Sequence, residues 1–424
     1  MWEEDKKSKL GKLILAGISL LLIIVLIVAV LAVRKKEAAQ DAQLLELYQQ
    51  QQAQQQQARQ ETVDEVMAGY EQDLACIQEY MPGIVCWGDV LTGGSTGGVS
   101  YPSALQELIN TRICDVYDYR GTIKNADELN NRIEWDEMKV GIPVVNMGTG
   151  EENVNTILGR CGAVPYVVAE PFEIPAGRDS VAIKFRSANG GDVAPLTYGD
   201  AGINDITIVG VKGKLSIDAA NSRFSYFSTS NYITYLFTRN EAGAPVAVEP
   251  DTEIITAASG EYLDYVPIIF VGSFGGYDSS ADLVAKIQAI IDRQTRNDRY
   301  LVIGTYYYQP YYLSSGTRGG ADEMAELEST MQKAFGDHYI NLRKYLASDA
   351  MADAGLKPTS SDSMNMSVGI VPSSLLNQEN HVELTPAAYQ LVGNIVYERM
   401  AKLGYFNEIV EELEIENFGR DVKQ

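Results

Sequence analysis

From Leu13 to Val33 every position is apolar except Gly17 and Ser19. As a helix rising 1.5 Å per residue, this run covers about 30 Å, the thickness of a bilayer's hydrocarbon core. No other stretch restricts the chain as strongly, because such a helix has no place on the outside of a water-soluble fold. The run exceeds the roughly 7–15 residues of a signal-peptide core, and no small-x-small cleavage site closes it. An uncleaved signal anchor is the expectation. Lys6, Lys7, Lys9 and Lys12 precede the run and Arg34, Lys35 and Lys36 follow it. This slight excess places residues 1–12 in the cytoplasm and the bulk of the chain outside the cell membrane, as a single-pass protein.

Residues 34–80 extend the anchor. Nine glutamines fall between Gln49 and Gln60, a composition that buries no core and suits a stalk. Val63, Val66, Tyr70, Leu74 and Ile77 then recur at the rhythm of an amphipathic helix, packed on the following domain or in a short coiled coil. The stalk permits self-association. With 34 Lys+Arg against 57 Asp+Glu, the net charge is −23, which argues against nucleic acid as a partner. The four cysteines, Cys76, Cys86, Cys114 and Cys161, show no CxxC spacing and so neither a zinc site nor a disulfide scaffold. Cys86 and Cys114 are left as either a pair or two buried thiols.

The rest reads as α/β. Apolar runs at Ile84–Cys86, Pro143–Met147, Val266–Gly272 and Tyr300–Gly304, with a weaker one at Tyr339–Leu342, look like buried parallel strands. Helical periods at Ser103–Ile113, Ser280–Thr295, Ala321–Phe335 and Pro386–Leu403 separate them, which implies a parallel sheet with helices on both faces. Residues 163–262 interrupt the alternation with β-type runs at Val181–Arg186, Ile206–Val211, Lys214–Ile217 and Tyr232–Phe237, an expected all-β insertion. The α/β domain then comprises 81–162 plus 263–408, and 409–424 an acidic tail.

Four ordered blocks lie at strand ends: Gly88-Asp-Val-Leu-Thr-Gly93, Val145-Asn-Met-Gly-Thr-Gly-Glu-Glu-Asn-Val-Asn155, Phe270-Val-Gly-Ser-Phe-Gly-Gly-Tyr-Asp278 and Asn380-His-Val-Glu-Leu-Thr-Pro-Ala-Ala-Tyr389. Together they resemble the SGNH/GDSL hydrolases, over about Gly83 to Leu403. The resemblance implies a flavodoxin-like three-layer α/β/α fold and, in family members, ester cleavage on acylated carbohydrates or lipids. It also implies a nucleophilic Ser with an Asp-x-x-His pair, and an oxyanion hole made from the Ser N–H, a Gly N–H and an Asn side chain.

At those positions this chain carries Val90 for the Ser, Glu151 for the Gly, Phe274 for the Asn, Asn380 for the Asp and Glu383 for the His. Val90 has no attacking atom, and loss of the nucleophile alone costs on the order of 10⁶ in rate. Phe274 cannot donate a hydrogen bond, a loss worth about 10²–10³. The surrounding Gly88, Asp89, Leu91, Thr92, Gly148, Gly150, Gly275, Gly276, Tyr277 and Tyr389 fit the pattern. Changes concentrated at the chemical positions suggest a scaffold kept while its chemistry was removed.

The expected function is therefore a membrane-anchored, outward-facing hydrolase-like protein that binds an envelope glycan or partner in a vestigial cleft. The alternative is an active serine esterase or deacetylase with a relocated nucleophile and base. A two-residue shift would set His381 in the histidine's place and Gln378 in the aspartate's. Thr92 and Ser95 carry the nearest hydroxyls, Thr92 as a cap of the following turn. Asp89, Glu151 and Glu383 are expected to converge, where carboxylates bind Ca²⁺ or Mg²⁺ or share a proton. No Asp/Asn-rich loop supports a metal, and neither metal nor cofactor is expected. Candidate binding residues are Asp89, Thr92, Asn146, Gly148, Gly150, Gly275, Tyr277 and His381, with Tyr307 and Tyr311 from the run Tyr306-Tyr-Tyr-Gln-Pro-Tyr-Tyr312 presenting rings suited to sugars.

Overall fold

A computed structural model describes residues 2–95, 98–113, 123, 126–129, 131–150, 152–190, 205–222, 234–307 and 321–413. Glu151, Tyr308, Tyr311, Cys114 and the end of the acidic tail lie outside them. One helix, Trp2–Tyr80, takes in the apolar run, the glutamine stretch and the amphipathic segment without a break. It is long and apolar enough, near the N-terminus, to cross a membrane. The chain divides into two compact units, 1–69 with 125–134, and 70–124 with 135–424. In the first, the apolar rhythm is partly used up within the chain, since Val63 and Val66 are buried, as are Ala126, Leu129 and Ile133.

Among the described residues the larger unit holds fourteen strands. In chain order they are β1 (Ile84–Gly88), β2 (Val144–Gly148), β3 (Tyr166–Val168), β4 (Phe172–Ile174), β5 (Val181–Ile183), β6 (Phe185–Ser187), β7 (Asp205–Ile208), β8 (Val211–Ile217), β9 (Tyr235–Arg239), β10 (Val246–Val248), β11 (Glu253–Thr256), β12 (Val266–Phe270), β13 (Leu301–Ile303) and β14 (Tyr339–Ile340).

Five of them form a parallel sheet in the order β14-β13-β12-β1-β2. The chain leaves β1 in one direction to reach β2 and in the other to reach β12. Beyond the carboxyl ends of β1 and β12 it therefore opens a crevice, the place where parallel sheets of this kind take ligands. β1 and β12 are buried at every position, as strands covered on both faces should be. Val85, Trp87 and Ile269 pack with Ile157, Leu283, Ile287, Leu327 and Met331 from three helices. On the other face Tyr101 meets Phe270 at 6.2 Å between ring centroids. There the helix Tyr101–Arg112 lies against Pro386–Lys402 so closely that a Cβ on Gly393 would sit 2.6 Å from Ala104. All five expected strands and all four expected helices are present, with ends moved by a few residues.

Between β2 and β12 the chain is β-rich, as expected, but divided differently. Val181–Arg186 is not one strand. β5 pairs with β9 and β6 with β3, and the two stand at opposite ends of the antiparallel order β5-β9-β8-β7-β11-β3-β6. Only Lys184 separates them, so the sheet curls until its edges meet. Phe185 touches both sides of that closure, 5.2 Å from Tyr166 and 4.4 Å from Tyr235. A two-stranded ribbon of β4 and β10 adds Ile174 and Val248 to the same core. This region is not a separate compact unit. Tyr166 and Thr256 reach out of it, their hydroxyls donating to the carbonyls of Thr156 and Arg160. The tail also begins later than expected, since Asn407–Glu412 is helical and Ile409 is fully buried.

Candidate functional site

The site begins where β1 ends. Asp89 caps a single helical turn, Val90–Gly93, its Oδ1 accepting from the Leu91 N–H at 2.9 Å. The turn folds down onto the strand ends because two positions carry no side chain. A Cβ on Gly88 would lie 2.0 Å from Thr92 Oγ1, and one on Gly148 would lie 2.1 Å from the Gly93 nitrogen. Asp89 rather than Thr92 is thus the cap, and Thr92 is buried beneath the turn. Val90 sits half-buried as the first residue of the turn.

The second and third blocks meet beside it. Val154 N–H donates to the Gly275 carbonyl at 3.2 Å. Gly276 sits against Asn153, which caps the helix Val154–Arg160. Phe274 is half-buried and faces the Tyr307 ring at 5.8 Å. Beneath them Ser273 and Thr305 share a hydrogen bond of 2.6 Å.

The fourth block is tied in by Tyr306, buried just beyond the end of β13, whose hydroxyl donates to the Val382 carbonyl at 2.8 Å. Burial pushes the Tyr306 phenol well above its usual value, and the charges of Asp89 and Glu383 both add to the effect. Tyr389 is raised in the same way, with the same two carboxyls acting on it. Asp89, Glu383, Tyr306 and Tyr389 therefore share one electrostatic neighbourhood at the strand ends. Asp89 is 1 % exposed. Burial, reinforced by the charge of Glu152 and opposed by the Leu91 hydrogen bond, pushes it up to about 8. At neutral pH its carboxyl is mostly protonated and can donate as well as accept.

Other expected residues do different work. Asn146 is exposed on the edge strand, where it bonds Gly93 O, Ser100 Oγ and the Gly148 N–H. Tyr277 packs on the core and returns its hydroxyl to the Gly272 carbonyl. Gly150 has open space where a Cβ would be. Asn380 is exposed and accepts from the Val382 and Glu383 N–H groups, so it fastens the turn instead of orienting Glu383's side chain. His381 is exposed with φ +53°. Cys86 is a free, buried thiol, pushed up to about 12 by burial.

The sequence did not point to the ion pair under the site. Glu152 and Arg160 are both fully buried, with Arg160 Nε 3.0 and 3.1 Å from the two carboxylate oxygens. Arg160 also donates to the carbonyls of Met147 (2.6 Å) and Gly88 (3.3 Å), and its guanidinium lies 5.3 Å from the Trp87 ring. It clamps the ends of β1 and β2 together. Burial raises Glu152, and the Arg160 charge opposes it. The available signal was an arginine inside the otherwise uncharged segment Val154–Arg160.

Polar atoms without hydrogen-bond partners gather here. Ser95 Oγ, Thr149 Oγ1, Asn155 Oδ1 and Arg160 Nη1 are buried with no hydrogen-bond partner among the described residues. The half-buried rings of Phe274 and Tyr307 face one another at the edge of the site, and position 90 offers no nucleophile. Among the described residues no group of three or more His, Cys, Asp or Glu is placed to hold a metal ion. No protein-family model matches the sequence, no curated protein matches it, and no solved structure matches the chain.

Proposed function

We propose that this chain is a membrane-anchored, outward-facing protein with the flavodoxin-like three-layer fold of the SGNH/GDSL hydrolases, an inserted β-rich subdomain, and no ester-hydrolysis machinery. It binds an envelope glycan or a partner in the cleft at the carboxyl ends of β1 and β12. The observation that carries this reading is the turn after β1. It is capped and folded onto Gly88 and Gly148 as a nucleophile turn needs to be, yet it presents the isopropyl group of Val90. The strand order, 2-1-3-4-5 when the parallel strands are counted along the chain, supports the fold, since flavodoxin-like sheets share it. The facing, half-buried rings of Phe274 and Tyr307 support a binding role.

The test uses the full chain in detergent with a fluorophosphonate probe and an acetyl-ester substrate. Alongside it run Val90→Ser and a variant restoring all five family positions (Val90→Ser, Glu151→Gly, Phe274→Asn, Asn380→Asp, Glu383→His). The parent is expected to stay unlabelled and silent while the restored variant turns over. Labelling of the parent at another residue would make the chain an active esterase and end this reading.

A further inference from the structure

The glutamine-rich part of the long helix has a face that no described residue covers. Leu44, Leu45, Leu47 and Tyr48 are 55, 61, 64 and 63 % exposed, four large apolar side chains within five residues of a helix in water. At 100° per residue, Leu44, Tyr48, Gln51, Gln55 and Ala58 fall within an arc of about 80°, with Leu45 and Leu47 on its two sides. Their spacing of four and three residues is the heptad rhythm of a coiled-coil seam.

We infer that this seam pairs with the same seam of a second copy of the chain, parallel and in register, to form a coiled coil outside the membrane. Three observations select a second copy. The seam lies on the helix that carries the candidate membrane span, so every anchored copy holds Leu44 at the same height and in the same direction. A second copy therefore meets the seam with its register already set.

Charge is the second. Between Ala42 and Ala58 the one charged residue is Glu46, about 200° round the helix from Leu44. Two copies of a chain with a net charge of −23 can therefore meet along this stretch without repulsion. The third is the chemistry of glutamine. Its amide both donates and accepts, so a row of glutamines complements an identical row. On the far side of the helix Gln57 and Gln60 donate within the chain to Glu61 and Asp64. Gln51 and Gln55, on the seam, have no side-chain partner among the described residues.

The experiment is disulfide mapping of the full chain in membranes, in a Cys76→Ser background because Cys76 is the partly exposed native thiol among the described residues. Leu44→Cys, Gln51→Cys and Gln55→Cys probe the seam, and Glu46→Cys and Ala53→Cys the opposite face. Two differently tagged copies are made together and treated with a mild oxidant. Mixed-tag dimers at the three seam positions, at least tenfold above the other two, are expected. Replacing Leu44, Leu47 and Tyr48 by Gln together should abolish the Gln55→Cys cross-link. No cross-link at the seam, equal cross-linking on both faces, or a seam adduct with a different protein would each overturn the assignment.

Discussion

The crevice of the parallel sheet and the curled antiparallel sheet treat buried polar atoms in opposite ways. Around the ends of β1 and β2, two hydroxyls, an amide oxygen and a guanidinium nitrogen are buried without partners among the described residues. In the antiparallel region the described polar groups are mostly spoken for: Thr256 donates to the Arg160 carbonyl at 2.6 Å, and Arg239 Nη1 to the carbonyls of Pro175 and Ala244 at 3.0 Å, while Arg239 Nε is buried without a partner. A buried polar atom without a partner is destabilising by about 1–3 kcal/mol. The contrast is therefore one of local stability, and it can be tested region by region.

The strongest way to break that contrast is at the ion pair beneath the crevice. Arg160→Ala leaves Glu152 buried without its counter-charge and should lower stability by about 3–5 kcal/mol, read from denaturant unfolding. Removing Glu152 as well should recover part of the loss, and full additivity of the two changes would show that the pair is not coupled.

Next in size is the pH dependence of two buried aspartates. Asp89 is held up to about 8 in the fold by burial, above its unfolded value near 4. The folded state keeps a proton that the unfolded state loses, so this group's stabilisation is greatest below about pH 4 and declines as pH rises towards 8. Asp89→Asn keeps an acceptor for Leu91 and should flatten the fall in Tm between pH 5 and 8 by several degrees; an unchanged slope would assign the fall to other groups. Asp362 behaves oppositely. Burial works against its charge, but bonds from the side chains and N–H groups of Thr359 and Ser374 outweigh this and bring it down to about 2. Its contribution is present above about pH 4 and is lost as pH falls through 2. A loss of stability in Asp362→Asn that is larger at pH 7 than at pH 3 would confirm that sign.

Two threonines sharpen the comparison at the small end. Thr256→Val should cost about 1–3 kcal/mol, since it strands the Arg160 carbonyl. Thr149→Val removes a hydroxyl that already has no partner and should change stability by less than about 0.5 kcal/mol, or raise it slightly. If the two cost the same, the crevice hydroxyls are satisfied after all and the regional contrast fails.

Much of the scaffold was legible because burial on both faces leaves continuous apolar runs such as Ile84–Cys86 and Val266–Phe270, and amphipathic helices leave a 3.6-residue period, as in Ser280–Arg293. The long apolar N-terminal helix was legible for a simpler reason, its length and lack of charge. The short strands Tyr166–Val168, Phe172–Ile174, Val246–Val248 and Glu253–Thr256 were not, since three or four residues are too few to show an alternation. Nor was the split at Lys184, because which partner a strand takes depends on strands far away in the chain.

At the site, sequence alone determined which atoms are available: no nucleophile at Val90, no donor on the Phe274 side chain, carboxyls at Asp89 and Glu383. Only the tertiary structure decided what those atoms become. Asp89 is a cap whose carboxyl is raised by burial, with the charge of Glu152 adding to the effect, and Asn380 is a turn fastener because its loop faces solvent. Arg160 is a clamp because two strand ends and a carboxylate converge on it from separate parts of the chain. Composition and period are local properties, whereas protonation and pairing depend on which distant groups burial brings within reach.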